Sequence, residues 1–183
     1  MNYLFLADGF EEIEALTTVD VLRRAGMPVV TVSINPDLEV TGAHGVTVVA
    51  DSLYEDNNDY AGAQWLILPG GVPGAPNLAA HEPLCRLLVD HAQRGGKVAA
   101  ICASPAVVLV PLGLLDGRHA VCYPGMEIDV EGICWGDTFA AVDGNIVTGR
   151  GPAAAMDFAL AIVGQTLGAE AVKPLADGLL HHS

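Results

Sequence analysis

Lys97-Val98-Ala99-Ala100-Ile101-Cys102-Ala103-Ser104-Pro105 is the stretch whose reading decides the fold. A short apolar run stops abruptly at one cysteine, with small residues, Ala100 and Ser104, two positions to either side. Pro105 and the apolar segment Ala106-Val107-Val108-Leu109-Val110 come next. This reads as a buried strand, a sharp turn and a helix, because proline suits a first helical turn, where its missing N–H leaves no bond unmade. The pattern small-x-Cys-x-small parallels the G-x-S-x-G nucleophile elbow, in which small residues permit a tight turn that exposes one side chain. A cysteine placed there faces the N–H groups and positive dipole end of the next helix, which favour a thiolate. The other reading is a small buried core cysteine, since free cysteine is among the most buried residue types.

Outward from the elbow, short apolar runs alternate with helical patterns. Tyr3 to Ala7 reads as a buried strand, turned by Asp8-Gly9. Glu11 to Ala25 reads as a helix with Ala15, Val19 and Leu22 on one face, Leu16 beside them, and Gly26 as its stop. Val29 to Ser33 is a β-branched strand, Asn35-Pro36-Asp37 a loop, and Val46 to Val49 a third strand or hairpin arm. Trp65 to Leu68 is a buried strand that stops at Pro69-Gly70-Gly71, and Pro83 to Arg94 a helix closed by Gly95-Gly96. Val121-Cys122-Tyr123 reads as a further short strand. Asp143-Gly144 marks a hairpin between Thr138–Val142 and Asn145–Thr148. Ala153 to Leu167 is an apolar helix ended by Gly168, and the tail from Lys173, with His181 and His182, is weakly patterned. Strands alternating with helices, the strands continuously apolar, predict one α/β domain over residues 1–183, with a parallel sheet covered on both faces. Sites in such sheets form beyond the strand carboxyl ends, where the strand order switches. Asp8-Gly9, Gly70-Gly71, Cys102 and Tyr123 fall at such ends.

Composition narrows the function classes. The chain has 183 residues, 51% of them hydrophobic, enough for a sizeable core. Eight basic residues against 22 acidic ones leave a net charge of −14, which repels phosphate backbones and anionic lipid. Nucleic acid and membrane are therefore not expected as partners. No run reaches the roughly 18–20 apolar residues of a membrane span, and Met1 to Asp8 lacks the basic start of a signal peptide. A cytoplasmic location is expected. Cys85, Cys102, Cys122 and Cys134 stand in no C-x-x-C spacing, and no histidine lies in H-E-x-x-H, so neither a disulfide framework nor a metal site is indicated. The absence of G-x-G-x-x-G and G-K-[ST] leaves no dinucleotide or P-loop fingerprint. No cofactor is expected.

Four features remain for chemistry. The Gly70-Gly71 turn can bring backbone N–H groups close to a site, or serve only as a connection. Glu11, Glu12 and Glu14 open the first helix, where the dipole favours acids and solvation is the usual state; Glu14 also comes after the first strand's carboxyl end. His44, in Thr41-Gly42-Ala43-His44-Gly45, is a loop histidine open to either a site role or plain exposure. Tyr123 lies at a strand end beside Pro124.

At this point the sequence resembles the ThiJ/PfpI superfamily, and within it the parkinsonism-associated deglycase-like branch. The resemblance rests on Leu6-Ala7-Asp8-Gly9-Phe10-Glu11-Glu12-Ile13-Glu14, Val19-Asp20-Val21-Leu22-Arg23-Arg24-Ala25-Gly26, Leu68-Pro69-Gly70-Gly71, Ala99-Ala100-Ile101-Cys102-Ala103 and Thr148-Gly149-Arg150-Gly151-Pro152, in family order from about residue 3 to about residue 167. It implies a flavodoxin-like three-layer sandwich and a homodimer. It further implies Cys102 as nucleophile, Glu14 as the acid bonded to its sulfur, and the Gly71 and Ala103 N–H groups as an oxyanion hole. The implied activities are cofactor-free conversion of small 2-oxoaldehydes, repair of early glycation adducts, and cysteine-based redox sensing with chaperone-like behaviour. The peptidase-like branch carries histidine directly after the nucleophile; Ala103 stands there, which disfavours peptidase activity. Two positions depart from the deglycase-like pattern: Tyr123 replaces a histidine, and His44 stands where arginine is frequent. A phenol, with an ordinary pKa near 10, is a poor base at neutral pH but a competent hydrogen-bond donor. Cys102 is expected to have a depressed pKa, with a protonated Glu14 as one donor to the sulfur.

Overall fold

A computed structural model describes residues 1–56 and 60–181. Among them the main sheet has seven strands: β1 (Asn2–Leu6), β2 (Val29–Ser33), β5 (Ser52–Leu53), β6 (Trp65–Leu68), β7 (Lys97–Ile101), β10 (Ala140–Asp143) and β11 (Ile146–Gly149). Their spatial order is β10-β11-β7-β6-β1-β2-β5, parallel throughout except for the β10–β11 hairpin. Taking only β1, β2, β6, β7 and β11, in chain order, the arrangement is 2-1-3-4-5, the flavodoxin-like order. Two small pairs lie outside it: β3 (Glu39–Thr41) with β4 (Thr47–Val49), antiparallel, and β8 (His119–Ala120) with β9 (Cys134–Trp135).

Alternation of side chains along each strand builds two cores. Leu4 and Leu6, Trp65 and Ile67, Ala99 and Ile101 face one side; Tyr3 and Phe5, Leu66 and Leu68, Val98 and Ala100 face the other. The first core is covered by α1 (Glu12–Arg24), α4 (Ala155–Leu167) and α5 (Ala169–Gly178), the second by α2 (Gly74–Ala80) and α3 (Glu82–Gln93). Each fully buried aliphatic or aromatic side chain contributes about 1.5–3 kcal/mol, so both sheet faces need a helical layer. The continuous apolar strand runs and the α/β sandwich agree with the sequence reading.

Several local expectations do not hold. Residues Val121 to Tyr123 form no strand: the Val121 N–H donates to Thr148 Oγ1 at 2.9 Å and the Tyr123 N–H to the Cys102 carbonyl at 2.8 Å, which takes the bonds a ladder would use. The segment after Cys102 is a five-residue π-type turn, Pro105–Leu109, in place of an α-helix. Leu16 is exposed rather than part of the apolar stripe. The glycine- and proline-containing Gly74–Ala80 is helix α2, and much of the tail is helix α5, whose Pro174 hides its pattern. His182 and Ser183 lie outside the described residues. No helix among the described residues is long and apolar enough to cross a membrane.

Candidate active site

The strand order reverses between β1 and β6, and ligands of open α/β sheets bind beyond the carboxyl ends at such a switch. Three segments meet there. Residues 7–14 leave β1 and start α1, the Pro69-Gly70-Gly71 turn leaves β6, and Cys102 ends β7.

Cys102 has φ of 64°, in the left-handed region that a residue with a Cβ rarely adopts. Such a conformation costs on the order of 1–3 kcal/mol and persists only where its surroundings fix it. Here the Cys102 N–H donates to the Gly149 carbonyl at 2.9 Å, the Cys102 carbonyl accepts from the Tyr123 N–H at 2.8 Å, and Ser104 Oγ donates to the Pro69 carbonyl at 2.5 Å. The elbow read from sequence is therefore present, held by β11, by the Tyr123 segment and by the β6 turn.

Glu14 is fully buried. Its Oε2 accepts from the Gly70 N–H at 2.8 Å. Oε1 is buried with no well-aligned donor among the described residues, and the Cys102 thiol lies within side-chain hydrogen-bonding reach of the carboxyl. Gly70 is where the two side chains converge: a Cβ there would sit 2.6 Å from Cys102 Cβ and 2.7 Å from Glu14 Oε2. Gly71 has φ of 95°, and its Cβ would fall 2.5 Å from the Glu11 nitrogen. Only glycine at both positions lets the turn close over the cysteine. The Gly71 and Ala103 backbone N–H groups favour the charged form of the Cys102 sulfur.

Electrostatics set the protonation of this pair. Burial raises the Glu14 carboxyl to about 7; the Gly70 N–H and the Cys102 contact pull the other way, and the charge on Glu11 adds to the rise. Burial likewise pushes the Cys102 thiol above its ordinary range, a charged Glu14 pushes it further, and the two backbone N–H groups oppose both. The expected depressed pKa of Cys102 is thus not found. The cysteine is only 8% exposed, and the short turn after it has little of the dipole a long helix supplies. The two groups titrate as a coupled pair: the carboxyl loses its proton first, and its charge then makes a thiolate beside it costlier.

Tyr123 reaches the elbow through its main chain. Its ring is exposed and lies over Gly151, where a Cβ would come within 3.3 Å of it. The hydrogen bonds of His44 go to Glu12: Nδ1 pairs with Oε2 and the backbone N–H donates to Oε1, both at 2.7 Å. Glu11, Glu12 and Glu14 are all buried, against the solvated state usual for acids opening a helix. Glu11 caps α1 by accepting the Glu14 N–H at 2.7 Å, a role usually filled by Ser, Thr, Asp or Asn, so the sequence does not announce it. Among the described residues one group could hold a metal, Glu11, Glu12 and His44, whose ligand atoms lie within 4.8 Å of one another.

A family model described as DJ-1/PfpI family matches residues 2–165. Among curated relatives, protein DJ-1 homolog B of Arabidopsis thaliana is 40% identical over 167 residues, 90% of this chain and 37% of its own length. The chain also spans 44% of the length of the Arabidopsis DJ-1 homolog A, so it covers less than half of both plant relatives. The Parkinson disease protein 7 homolog of Danio rerio is 34% identical, with 91% of this chain and 89% of that protein covered. A deglycase of Pyrococcus abyssi is 36% identical, with 83% and 91% covered. Among solved structures, oxidised DJ-1 of Toxoplasma gondii has a TM-score of 0.90 at 37% identity, covering 99% of this chain and 98% of that one. Drosophila melanogaster DJ-1beta has a TM-score of 0.91 at 33% identity, with both chains covered in full. From the strand order, the elbow at the switch point and these likenesses together, the chain belongs to the DJ-1/PfpI family.

Proposed function

We propose that the protein is a cysteine enzyme acting, without a cofactor, on small 2-oxoaldehydes or early glycation adducts. The single observation carrying this reading is the buried Cys102–Glu14 pair closed over by Gly70 at the sheet's switch point. The deglycase name of the Pyrococcus abyssi relative supports the same class of substrate. In the proposed reaction the Cys102 thiolate attacks the aldehyde carbon and forms a C–S bond, and Glu14 gives its proton to the former carbonyl oxygen. Before that transfer the Gly71 and Ala103 N–H groups hold the developing oxyanion. Glu14, now a carboxylate, removes the hydrogen from that carbon as a proton, and the neighbouring ketone oxygen takes up a proton to give an enediol. The neighbouring carbon is then protonated while the hydroxyl on the sulfur-bearing carbon gives up its proton. This leaves a hydroxyl on the former ketone carbon and a thioester carbonyl on the sulfur-bearing one. The resulting thioester is cleaved by water, releasing the hydroxy acid and the thiol. Tyr123 and His44 line the approach without acting as bases, and Gly70 shapes it.

The protein acts as a homodimer in the cytoplasm in this reading. Ile13 and Leu16 on α1 and Val46 and Val49 on the β3–β4 hairpin are exposed apolar residues, and the hairpin turn is tied to α1 through Glu12; apolar side chains left open in this way support the reading that a second copy covers them. A second reading, peroxide sensing with chaperone-like behaviour at the same cysteine, takes support from the oxidised Toxoplasma relative. Incubation with methylglyoxal at neutral pH separates the two. Lactate formed by the wild type and lost in Cys102→Ser fits the enzyme. No lactate, with peroxide-dependent mass gain on the Cys102 peptide, fits the sensor.

A further inference from the structure

β10 is an edge strand of the main sheet, with β11 on one side only. The Arg150 N–H donates to the Phe139 carbonyl at 2.9 Å, which sets the phase of the β10–β11 ladder. Residues 139, 141 and 143 turn their backbone groups toward β11, so Ala140 and Val142 turn theirs outward. The Ala140 carbonyl accepts from Thr138 Oγ1 at 3.0 Å. Among the described residues, the Ala140 N–H and both backbone groups of Val142 have no partner. Proteins usually blunt such an edge with lysine or proline; Ala140-Ala141-Val142 carries neither. Beside this edge lies a groove of about 940 Å³. Leu160 and Ala161 of α4, Val172 and Ala176 of α5, and the exposed Phe139 and Val142 line it. None of the residues placed at the Cys102 site does.

We propose that β10 and the groove beside it bind an extended peptide segment, cationic and with alternating apolar residues, as an added strand. Main-chain bonds to Ala140 and Val142 hold the segment. Side chains on one of its faces enter the groove, as the alternation of a strand allows. Charge selects the occupant. The two bases lining the groove are already paired: Lys173 Nζ lies 2.9 Å from Asp177 Oδ2, and His181 Nε2 lies 3.3 Å from Asp157 Oδ1. An anionic ligand therefore finds no unpaired cation in this lining, and the net charge of −14 repels it from a distance. The same field draws in a lysine-bearing segment and works against a second copy of this chain. The inference does not depend on the chemistry proposed for Cys102.

A fluorescein-labelled Lys-Val-Lys-Val-Lys-Val-Lys peptide tests this, by anisotropy and by amide hydrogen exchange. The peptide binds the wild type, and exchange of the Val142 amide then slows by about tenfold or more. Val142→Pro removes the outward N–H and no ladder bond, so the sheet is kept and affinity falls by about tenfold or more. Ala161→Leu fills the groove, leaves the edge open and also weakens binding. Where Val142→Pro does not fold, the exchange of the Val142 amide in the wild type decides. An exchange rate equal with and without the peptide overturns the proposal. So does equal affinity for a version with glutamate in place of lysine, or for a fully N-methylated version, which cannot donate to the edge. Self-association that grows with protein concentration and is abolished by Val142→Pro also overturns it, since a second copy then holds the edge.

Discussion

Glu12 and Glu14 stand in the same first turn of α1, both out of solvent, and their carboxyls shift in opposite directions. Burial would raise both. At Glu12 the side-chain and backbone hydrogen bonds of His44, with the Val46 N–H, outweigh burial and hold the carboxyl below its usual range. At Glu14 no cation answers; one N–H and a thiol face it, and it rises to about 7. The lesson is that position on a helix does not set an acid's chemistry. Glu12, hydrogen-bonded to the imidazole and backbone N–H of His44 from the β3–β4 turn, is a structural anchor. Glu14, left with a partner that also wants to be an anion, can hold and release a proton near neutral pH.

Replacing each acid should separate the two regions most widely. Glu14→Leu removes the proton carrier, and lactate formation is expected to fall by about 100-fold or more, whereas Glu12→Leu should lower it by less than about tenfold by loosening the hairpin. Equal losses in steady-state kinetics would erase the distinction. Next in size is Gly70→Ala, whose Cβ would collide with Cys102 and Glu14. A loss of about tenfold or more in kcat/KM is expected, since displacements of an ångström are costly in such pairs; an unchanged kcat/KM would mean the two side chains need not meet.

Stability offers a third comparison. A carboxyl whose folded pKa is raised from 4.5 to about 7 contributes stability at low pH that is lost as pH climbs through that window. Glu14→Gln should therefore be more stable than wild type at pH 8, by on the order of 3 kcal/mol at most, with the gap closing toward pH 4. Glu12 has the opposite sign: its contribution is present above the unfolded pKa and fades as pH falls through the lowered folded value. Paired melts from pH 4 to 8 decide, and parallel curves for Glu14→Gln and wild type would contradict the assignment. Smaller again is His44→Gln, which should raise the Glu12 midpoint and leave that of Glu14 within about 0.3 pH units; a joint movement would make them one network. The smallest effect expected is Tyr123→Phe, with Cys102 alkylation kept within about twofold, because the tyrosine's bond to the elbow is made by its backbone.

Much of the fold is legible in the sequence. The run Lys97–Ile101 ending at Cys102 marks the elbow, because a continuous apolar strand leading into small residues admits few other folds. The Asp143-Gly144 turn marks the β10–β11 hairpin, which the register Asp143↔Ile146 reproduces. The length and type of the helical turn after Cys102 are not legible. Pro105 permits an α-turn and a π-turn alike, and the choice is made by the Val110 N–H reaching the Pro105 carbonyl at 3.0 Å. The role of Val121 to Tyr123 is hidden for a similar reason: its apolar pattern suits a strand, but its N–H groups are taken by Thr148 and Cys102. The raised pKa of Cys102 runs against the sequence reading because the sequence displays the donors around the sulfur and conceals how deeply it is buried. Glu14 can be singled out by its place after β1; its burial, and that of Glu11 and Glu12, depends on the β6 turn and on the β3–β4 turn, both distant in sequence.

The central claim is that Cys102 and Glu14 share one proton. The rate of Cys102 alkylation by iodoacetamide from pH 5 to 10, measured by peptide mass spectrometry in wild type, Glu14→Gln and Glu14→Leu, tests it most directly. Glutamine keeps a donor to the sulfur and carries no charge. The account predicts that Glu14→Gln alkylates faster than wild type above pH 7, where Glu14 is ionised, that Glu14→Leu is slower than Glu14→Gln, and that lactate formation is lost in both. Superimposable wild-type and Glu14→Gln profiles would contradict it, since the carboxyl and the thiol would then titrate without sensing each other.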